Sequence, residues 1–339
     1  MFASPTTQKF FAELDDTLRQ VVQAVPEPAP GFAVMLRYAM GWVDANDQPY
    51  HQAAGKRIRP LLLLLCAEAA GGSWRTALPA AAAAELLHNF SLIHDDIQDD
   101  SPTRHGRPTV WKVWGQANAI NAGDALFTLS YSALESLSNE QLSPETVIKV
   151  WRIFNTTALE LTRGQHLDMR FEHQESVSIE DYVWMIQGKS AALLAACAQI
   201  GALIASNDED LASRYAEFAL NLGIAFQIHD DILGIWGDPS VTGKSAATDI
   251  ISRKKSLPVL YGLSQSAALK TIYERVTFTE GDVGEAIDAL DVIDARAYTQ
   301  ESETAYYQRA LAALEGANPQ GNAADGLMQL VEALFQRTY

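Results

Sequence analysis

The pentapeptide Ile-His-Asp-Asp-Ile occurs twice in this 339-residue chain, at Ile93–Ile97 and again at Ile228–Ile232, each time at the end of an apolar run. Around both copies apolar residues recur at spacings of three and four, the period of a helix whose buried face is wide. Alanine and leucine are abundant and few stretches alternate polar with apolar over strand length, so the expected fold class is all-α. On a helix over Ala81–Asp100, the residues His88, Ser91, Asp95 and Asp99 fall on one face, with Leu86, Leu87, Phe90 and Ile93 covering much of the rest. Gln227, Asp230 and Asp231 share a face in the same way. A carboxylate driven into an apolar helix is costly unless it has a partner. Asp95 and Asp99, one turn apart, would repel each other, and a hard cation between them resolves the conflict, with Mg²⁺ the best match to carboxylate oxygens. Two such helix ends pointed at each other would form a carboxylate-lined cavity. The competing reading is a solvated acidic helix end, which opposes the helix dipole.

Breaks at Pro26–Gly31, Asn46–Gly55, Gly71–Ser73, Ser138–Pro144, Asn207–Asp210, Gly237–Thr248 and Gly316–Asn322 separate ten or more helices. Ser143-Pro144-Glu145 and Ser178-Ile179-Glu180-Asp181 carry helix-start chemistry. No break has linker composition, so residues 1–339 are expected to form one all-helical domain.

The formal net charge is −17. That argues against nucleic acid or an anionic membrane as main partner. The cations are concentrated in a few segments, around Lys56–Arg59, Arg104–Arg107, Lys189, Lys244 and Arg253–Lys255. Focused cations on an acidic protein point to a small anionic ligand, and beside paired aspartates they resemble a diphosphate cradle. Two cysteines, Cys66 and Cys197, sit in apolar surroundings without a CxxC spacing, which fits a reducing, cytoplasmic setting. The N-terminus lacks signal-peptide character, and LLLLLCAEAA and AALLAACAQIGALIA are too short or too mild to span a bilayer, so no stable membrane insertion is expected.

With these residues in view, the sequence resembles the trans-prenyl diphosphate synthases, the head-to-tail isoprenoid chain elongators. GKRIRP, LLHNFSLIHDDIQD, RHGRPT, GQHLD, GKS, FQIHDDIL, GDPSVTGK and DIISRKKSLP occur in the family's order from about Gly55 to about Pro258. The resemblance implies a large helical bundle around a deep central cavity, usually as a homodimer. It implies condensation of isopentenyl diphosphate with an allylic diphosphate, using about three Mg²⁺ ions per active site to stabilise the departing diphosphate. Carried over by position, Asp95, Asp99 and Asp230 would ligate Mg²⁺, with Asp96 and Asp231 in support. Lys56, Arg59 and His88 would bind isopentenyl diphosphate. Arg104, Lys189, Ser190, Gln227, Lys244 and Lys254 would hold the allylic diphosphate and its metals. The residue five before the first aspartate, Phe90, would act as a stopper on the growing chain beside the small Ser91, a pattern most like a geranylgeranyl diphosphate synthase; farnesyl or longer products stay open.

Two departures stand out. His105 replaces an arginine expected at the isopentenyl site, and a neutral ring there weakens anion binding. Gly234 replaces the third aspartate of the second motif, which puts metal affinity in doubt. His94 and His229, which precede the acidic pairs, are expected to pack or to orient their neighbours rather than react. Three other readings stay open at this point. A class I terpene cyclase lacks an isopentenyl site, which GKRIRP and His88 argue against. A His-Asp metal phosphohydrolase needs further histidine ligands, and the seven present are not arranged for it. A non-catalytic regulatory subunit is kept open by His105 and Gly234.

Overall fold

The computed structural model describes residues 5–25, 31–50, 55–237, 247–275 and 277–335. Lys244, most of the GDPSVTGK segment, and the breaks at 26–30 and 51–54 lie outside them. The architecture is all-α, as the periodicity requires. The helices are α1 (Pro5–Gln23), α2 (Phe32–Ala39), α3 (Ile58–Ala69), α4 (Leu78–Gln98), α5 (Val110–Trp114), α6 (Gln116–Glu135), α7 (Pro144–His173), α8 (Ile179–Ile186), α9 (Ala192–Ser206) and α10 (Glu209–Trp236). They continue with α11 (Thr248–Ile251), α12 (Leu257–Gln265), α13 (Ala267–Tyr273), α14 (Glu280–Asp291), α15 (Ala295–Ala317) and α16 (Gly321–Phe335). The only paired strands among the described residues are β1 (Thr103–Arg104) and β2 (Arg107–Pro108), a two-stranded antiparallel hairpin turned by His105 and Gly106. Both turn residues have positive φ, 51° and 74°, the backbone a tight two-residue hairpin demands.

The expected helix starts are present. The Ser143 hydroxyl accepts the Thr146 amide at 3.0 Å at the start of α7. Ser178 and Asp181 form a reciprocal capping box at the start of α8.

The chain divides into two compact units. One comprises Met1–Ala158, Ala196–Ser213 and Pro319–Leu327. Its core is the almost wholly buried Leu61–Ala67 run of α3 and Ala80–Leu87 of α4. Each leucine so buried contributes about 1.5–3 kcal/mol of transfer free energy. α4 and α6 pack along much of their length. Gly123 permits a close approach, because a methyl group there would collide with the His94 ring. Gly201 of α9 has no room for a side chain against the Leu63 carbonyl of α3. The second unit comprises Leu159–Ala195, Arg214–Asn318 and Met328–Tyr339. Phe171, Tyr182, Met185, Ile224, Ile228 and Leu257 form one cluster of its core. Ile235, Ile250, Val259, Leu269 and Leu290 form another.

Cys66 and Cys197 are buried and unpaired. Burial pushes the Cys197 thiol up to about 12, and Cys66 also well above its usual range, so neither is a nucleophile. Ile179–Ser206 is a helical stretch long and apolar enough to cross a membrane, but 67% of its apolar window is buried inside the chain, as a core helix would be.

Candidate active site

The first acidic motif closes α4. Asp95 is half-buried, Asp96 buried and Asp99 exposed at the C-cap, where its amide bonds back to the Asp95 carbonyl at 2.8 Å. Their orientations follow from helical spacing: Asp95 and Asp99 share a face and Asp96 points 100° away. Asp96 is held by Arg104, whose Nε and one terminal nitrogen both reach Oδ1 at 2.8 Å. The hairpin supplies that arginine, and its turn places His105 at the surface. Burial raises the Asp96 pKa, with Arg104 opposing the shift and Asp99 adding to it. Burial and the Arg104 charge lower the pKa of His105, so its ring is neutral at pH 7.

Two turns back along α4, His88 meets Arg59 from the first turn of α3, at 3.2 Å. Arginine only donates, so Nε2 accepts and the imidazole proton sits on Nδ1. Burial, then the charges of Arg59, Arg104 and His105, hold the His88 pKa well below its ordinary value. Beneath this pair lies the buried Glu85, its pKa raised by burial against the opposing pull of Arg57 and Arg59. Glu85 is a charged group that periodicity missed, because it falls among alanines and leucines. Arg57, in a left-handed conformation before α3, pairs with Asp15 of α1. Lys56 is exposed and borders a pocket of about 500 Å³ with Arg57, Arg19, Trp42 and Tyr50.

Phe90 is half-buried between the His94 ring and the Phe127 ring of α6, each 4.8 Å away. Ser91 turns its hydroxyl onto the His88 carbonyl at 2.9 Å and so presents a small, satisfied side chain.

In the second unit Asp231 is 1% exposed and fully engaged. One oxygen accepts from the Tyr182 hydroxyl at 2.5 Å and the Leu257 amide at 3.1 Å. The other accepts from Gln227 Nε2 at 3.1 Å, with the Lys254 ammonium 3.9 Å away. Gln227 in turn accepts from the Ser190 hydroxyl at 2.6 Å. Five expected residues, Ser190, Gln227, Asp230, Asp231 and Lys254, thus share one neighbourhood. Burial opposes the Lys254 charge, but Asp231, Asp249, Asp168 and Asp230 outweigh it and raise its pKa. Lys189 is hydrogen-bonded to Asp168 of the GQHLD segment. It stands in a single π-helical turn, Gln187–Ala191, between α8 and α9. Such turns widen a helix locally and recur at functional sites. Gly164 and Gly188 let the backbones of α7 and this turn touch, since a Cβ at 164 would strike the Lys189 amide.

Tyr182, Asp168 and Asp249 were not singled out from the sequence as site residues. GQHLD carried a signal for Asp168, whereas Tyr182 reads as an apolar core position. Gly234 has a definite local role: a Cβ there would stand 2.6 Å from the Asp249 carboxyl carbon. The carboxylate missing at 234 is replaced in space by one from α11. His229 is buried and packs on Phe335, with Nδ1 3.0 Å from Glu303. His94 lies against Phe90 and Gly123, with Nε2 3.3 Å from the Ile120 carbonyl.

Among the described residues no group of three or more His, Cys, Asp or Glu side chains closes a metal cage. The donors present still fit Mg²⁺, which is held by one or two carboxylates together with substrate phosphates rather than by an all-protein cage. Asp95 and Asp99 on one helix face and Asp230 on another helix are hard oxygen donors of that kind.

Acidic helix ends, each beside arginine or lysine, are the donor and cation set that an enzyme acting on diphosphates needs. The polyprenyl synthetase family model matches residues 42–290, and the chain belongs to that family. It is a prenyltransferase of the chain-elongating class. It is 38% identical over 311 residues to a geranylgeranyl diphosphate synthase of Mycobacterium tuberculosis, covering 90% of this chain and 87% of that one. It is 37% identical to a geranylfarnesyl diphosphate synthase of Aeropyrum pernix, covering 76% of this chain and 82% of that one. The fold superposes on a crystal structure of polyprenyl synthetase from Streptomyces coelicolor with a TM-score of 0.87 at 33% identity, covering 96% and 98% of the two chains.

Proposed function

We propose that this chain condenses isopentenyl diphosphate with an allylic diphosphate to give geranylgeranyl diphosphate. One observation carries the two-substrate reading. α4 bears an acidic pair at Asp95 and Asp99 and, seven residues before Asp95 on the same face, His88, which meets Arg59 of α3. Seven residues span roughly 10 Å. That separation suits two diphosphates held side by side, one through carboxylates and metal, the other through arginine and a neutral imidazole. A cyclase, with one diphosphate to hold, has no use for the second pair.

Mg²⁺, about three ions when bound, would supply the charge that stabilises the departing diphosphate, with Asp95, Asp99 and Asp230 as its ligands. Asp96 fixes Arg104, which neutralises phosphate oxygens beside the first motif. Asp231 is a positioning carboxylate: its acceptor capacity is filled by Tyr182, Leu257, Gln227 and Lys254, and it orients Gln227 and Lys254 toward the allylic diphosphate. Lys189, held by Asp168 and placed by the π turn, and Lys244 complete the cationic set. Lys56 and His105 flank the isopentenyl diphosphate, His105 as a neutral donor. Phe90 and Ser91 face the growing chain and set its length. No side-chain nucleophile takes part.

The whole chain serves as one synthase domain in this reading, since the family match runs through both compact units. A homodimer in the cytoplasm is the form we assign to it. Two buried, unpaired thiols fit that compartment. The test is the purified protein alone, with Mg²⁺, labelled isopentenyl diphosphate and each of the dimethylallyl, geranyl and farnesyl primers. Condensation that needs both substrates, ending at the twenty-carbon product, supports the proposal. Turnover of an allylic diphosphate without isopentenyl diphosphate would make it a cyclase. No turnover by the homomer would make it a regulatory subunit.

A further inference from the structure

One cation of the Arg104–Arg107 segment is engaged elsewhere than in the diphosphate cradle. The Arg107 guanidinium carbon lies 3.9 Å from the centre of the Tyr38 ring and 4.1 Å from that of Tyr50. One of its terminal nitrogens donates to the Val43 carbonyl at 2.8 Å. Tyr38 belongs to α2 and is 7% exposed, and Tyr50 is half-buried. A planar, weakly hydrated guanidinium suits two ring contacts and a carbonyl at once, which a compact ammonium does not. The Tyr38 hydroxyl donates to the Pro108 carbonyl at 2.6 Å, and its ring meets Trp114 of α5 edge-on at 4.9 Å. Both residues of β2 are thus fastened to the body of the unit.

The two sides joined at Arg107 each lead to a residue of the proposed isopentenyl site. Across the hairpin Arg107 pairs with Arg104, and His105 stands in the turn between them. On the other side, Val43 and Tyr50 belong to a segment folded back on itself. The Tyr50 amide bonds to the Trp42 carbonyl at 2.9 Å, and Val43 and Pro49 form a β-bridge. Arg37 of α2 grips Asp47 of the same segment at 2.7 and 3.0 Å. Trp42, Val43, Pro49 and Tyr50 wall the pocket that Lys56 borders. Arg104 has an anchor of its own in Asp96. His105, exposed at the hairpin tip, takes its place from the hairpin body.

We propose that Arg107 is a positioning residue for isopentenyl diphosphate. It acts through Tyr38, Val43 and Tyr50, holding the hairpin that carries His105 against the wall of the Lys56 pocket, so that both side chains meet one diphosphate. This rests on the prenyl-elongating reading above. Arg107 itself touches no substrate. Without it the hairpin tip and the pocket wall move independently, while Arg104 keeps its hold on Asp96. The isopentenyl side therefore loses more than the allylic side.

The experiment measures kcat and KM for isopentenyl diphosphate and, separately, for an accepted allylic primer in wild type, Arg107→Ala, Arg107→Lys, Tyr50→Leu and Tyr50→Phe. The KM for isopentenyl diphosphate should rise roughly tenfold in Arg107→Ala and Tyr50→Leu, with the allylic KM within about twofold of wild type. Arg107→Lys keeps the charge but not the plane, and should raise the isopentenyl KM by roughly fivefold. Tyr50→Phe keeps the ring and should match wild type. A merely structural role would disturb both substrates alike, so equal rises in the two KM values overturn the proposal. An unchanged isopentenyl KM in Arg107→Lys and Tyr50→Leu overturns it too. If circular dichroism shows Arg107→Ala unfolded, those two variants decide. A wild type that incorporates no isopentenyl diphosphate with any primer removes the proposed function itself, and that control is read first.

Discussion

The Tyr182 hydroxyl donates to the Asp231 carboxylate at 2.5 Å, across 49 residues of sequence. The same oxygen accepts the Leu257 amide, and Gln227 takes the other. With both oxygens occupied by protein donors, Asp231 has a positioning role in the proposed reading, separate from that of Asp230, its neighbour on the helix. Tyr182→Phe removes one donor and leaves a lone pair dry. The expected cost is about 1–3 kcal/mol of stability, seen as a lowered urea midpoint. The Mg²⁺ concentration for half-maximal rate should change little, because Asp95, Asp99 and Asp230, the proposed ligands, are untouched.

Asp95→Ala and Asp230→Ala should each lower kcat by roughly a hundredfold or more, since each removes charge stabilisation at the leaving diphosphate. Far-ultraviolet circular dichroism and the thermal midpoint should stay close to wild type, as neither carboxylate is a core group. Near-normal turnover in either variant would count heavily against the assignment.

In the proposed reading, His105→Arg places a cation beside the isopentenyl diphosphate. A charge-assisted contact in place of a neutral one should lower the KM for isopentenyl diphosphate by roughly tenfold, leaving the KM for the allylic primer unchanged. The substitution falls at a φ of 51°, so a small loss of stability accompanies it. Equal effects on both substrates would place His105 elsewhere.

His88 is held neutral by burial and by the nearby arginines, with its pKa well below the ordinary value near 6.5. As pH falls through that ordinary value, the unfolded chain takes up a proton that the folded state refuses. Stability contributed by the neutral ring is therefore complete above about pH 7.5, falls as pH drops below about 6.5, and levels off once the folded ring titrates. Urea unfolding at pH 8, 7, 6 and 5.5 reads this slope. His88→Gln should flatten it, and an unaltered slope in that variant would show that other groups cause it.

Gly164→Ala places a methyl group against the Lys189 amide in the π turn. Backbone cannot yield as a flexible side chain would, so a loss of about 1–3 kcal/mol or more is expected. Lys189 should also move, raising the KM for the allylic diphosphate. A variant with normal stability and normal KM would mean that the close approach of α7 to this turn is not required.

The helical class, the starts of α7 and α8, and the two acid-bearing helix faces were legible in the sequence. Each depends on residues within about four positions of one another: a 3.6-residue period, a serine three before a backbone donor, a pair of aspartates one turn apart. Tertiary structure alone decided the partners. Tyr182 on Asp231, Arg104 on Asp96, Asp249 filling the space left by Gly234, and Arg107 over the Tyr38 and Tyr50 rings join residues far apart along the chain, or on different elements. Periodicity shows which side of a helix is apolar, but it says nothing of which other helix lies against it or where a glycine lets two backbones touch. Those contacts are set by packing of the whole unit, and they determine which donors reach Asp96 and Asp231.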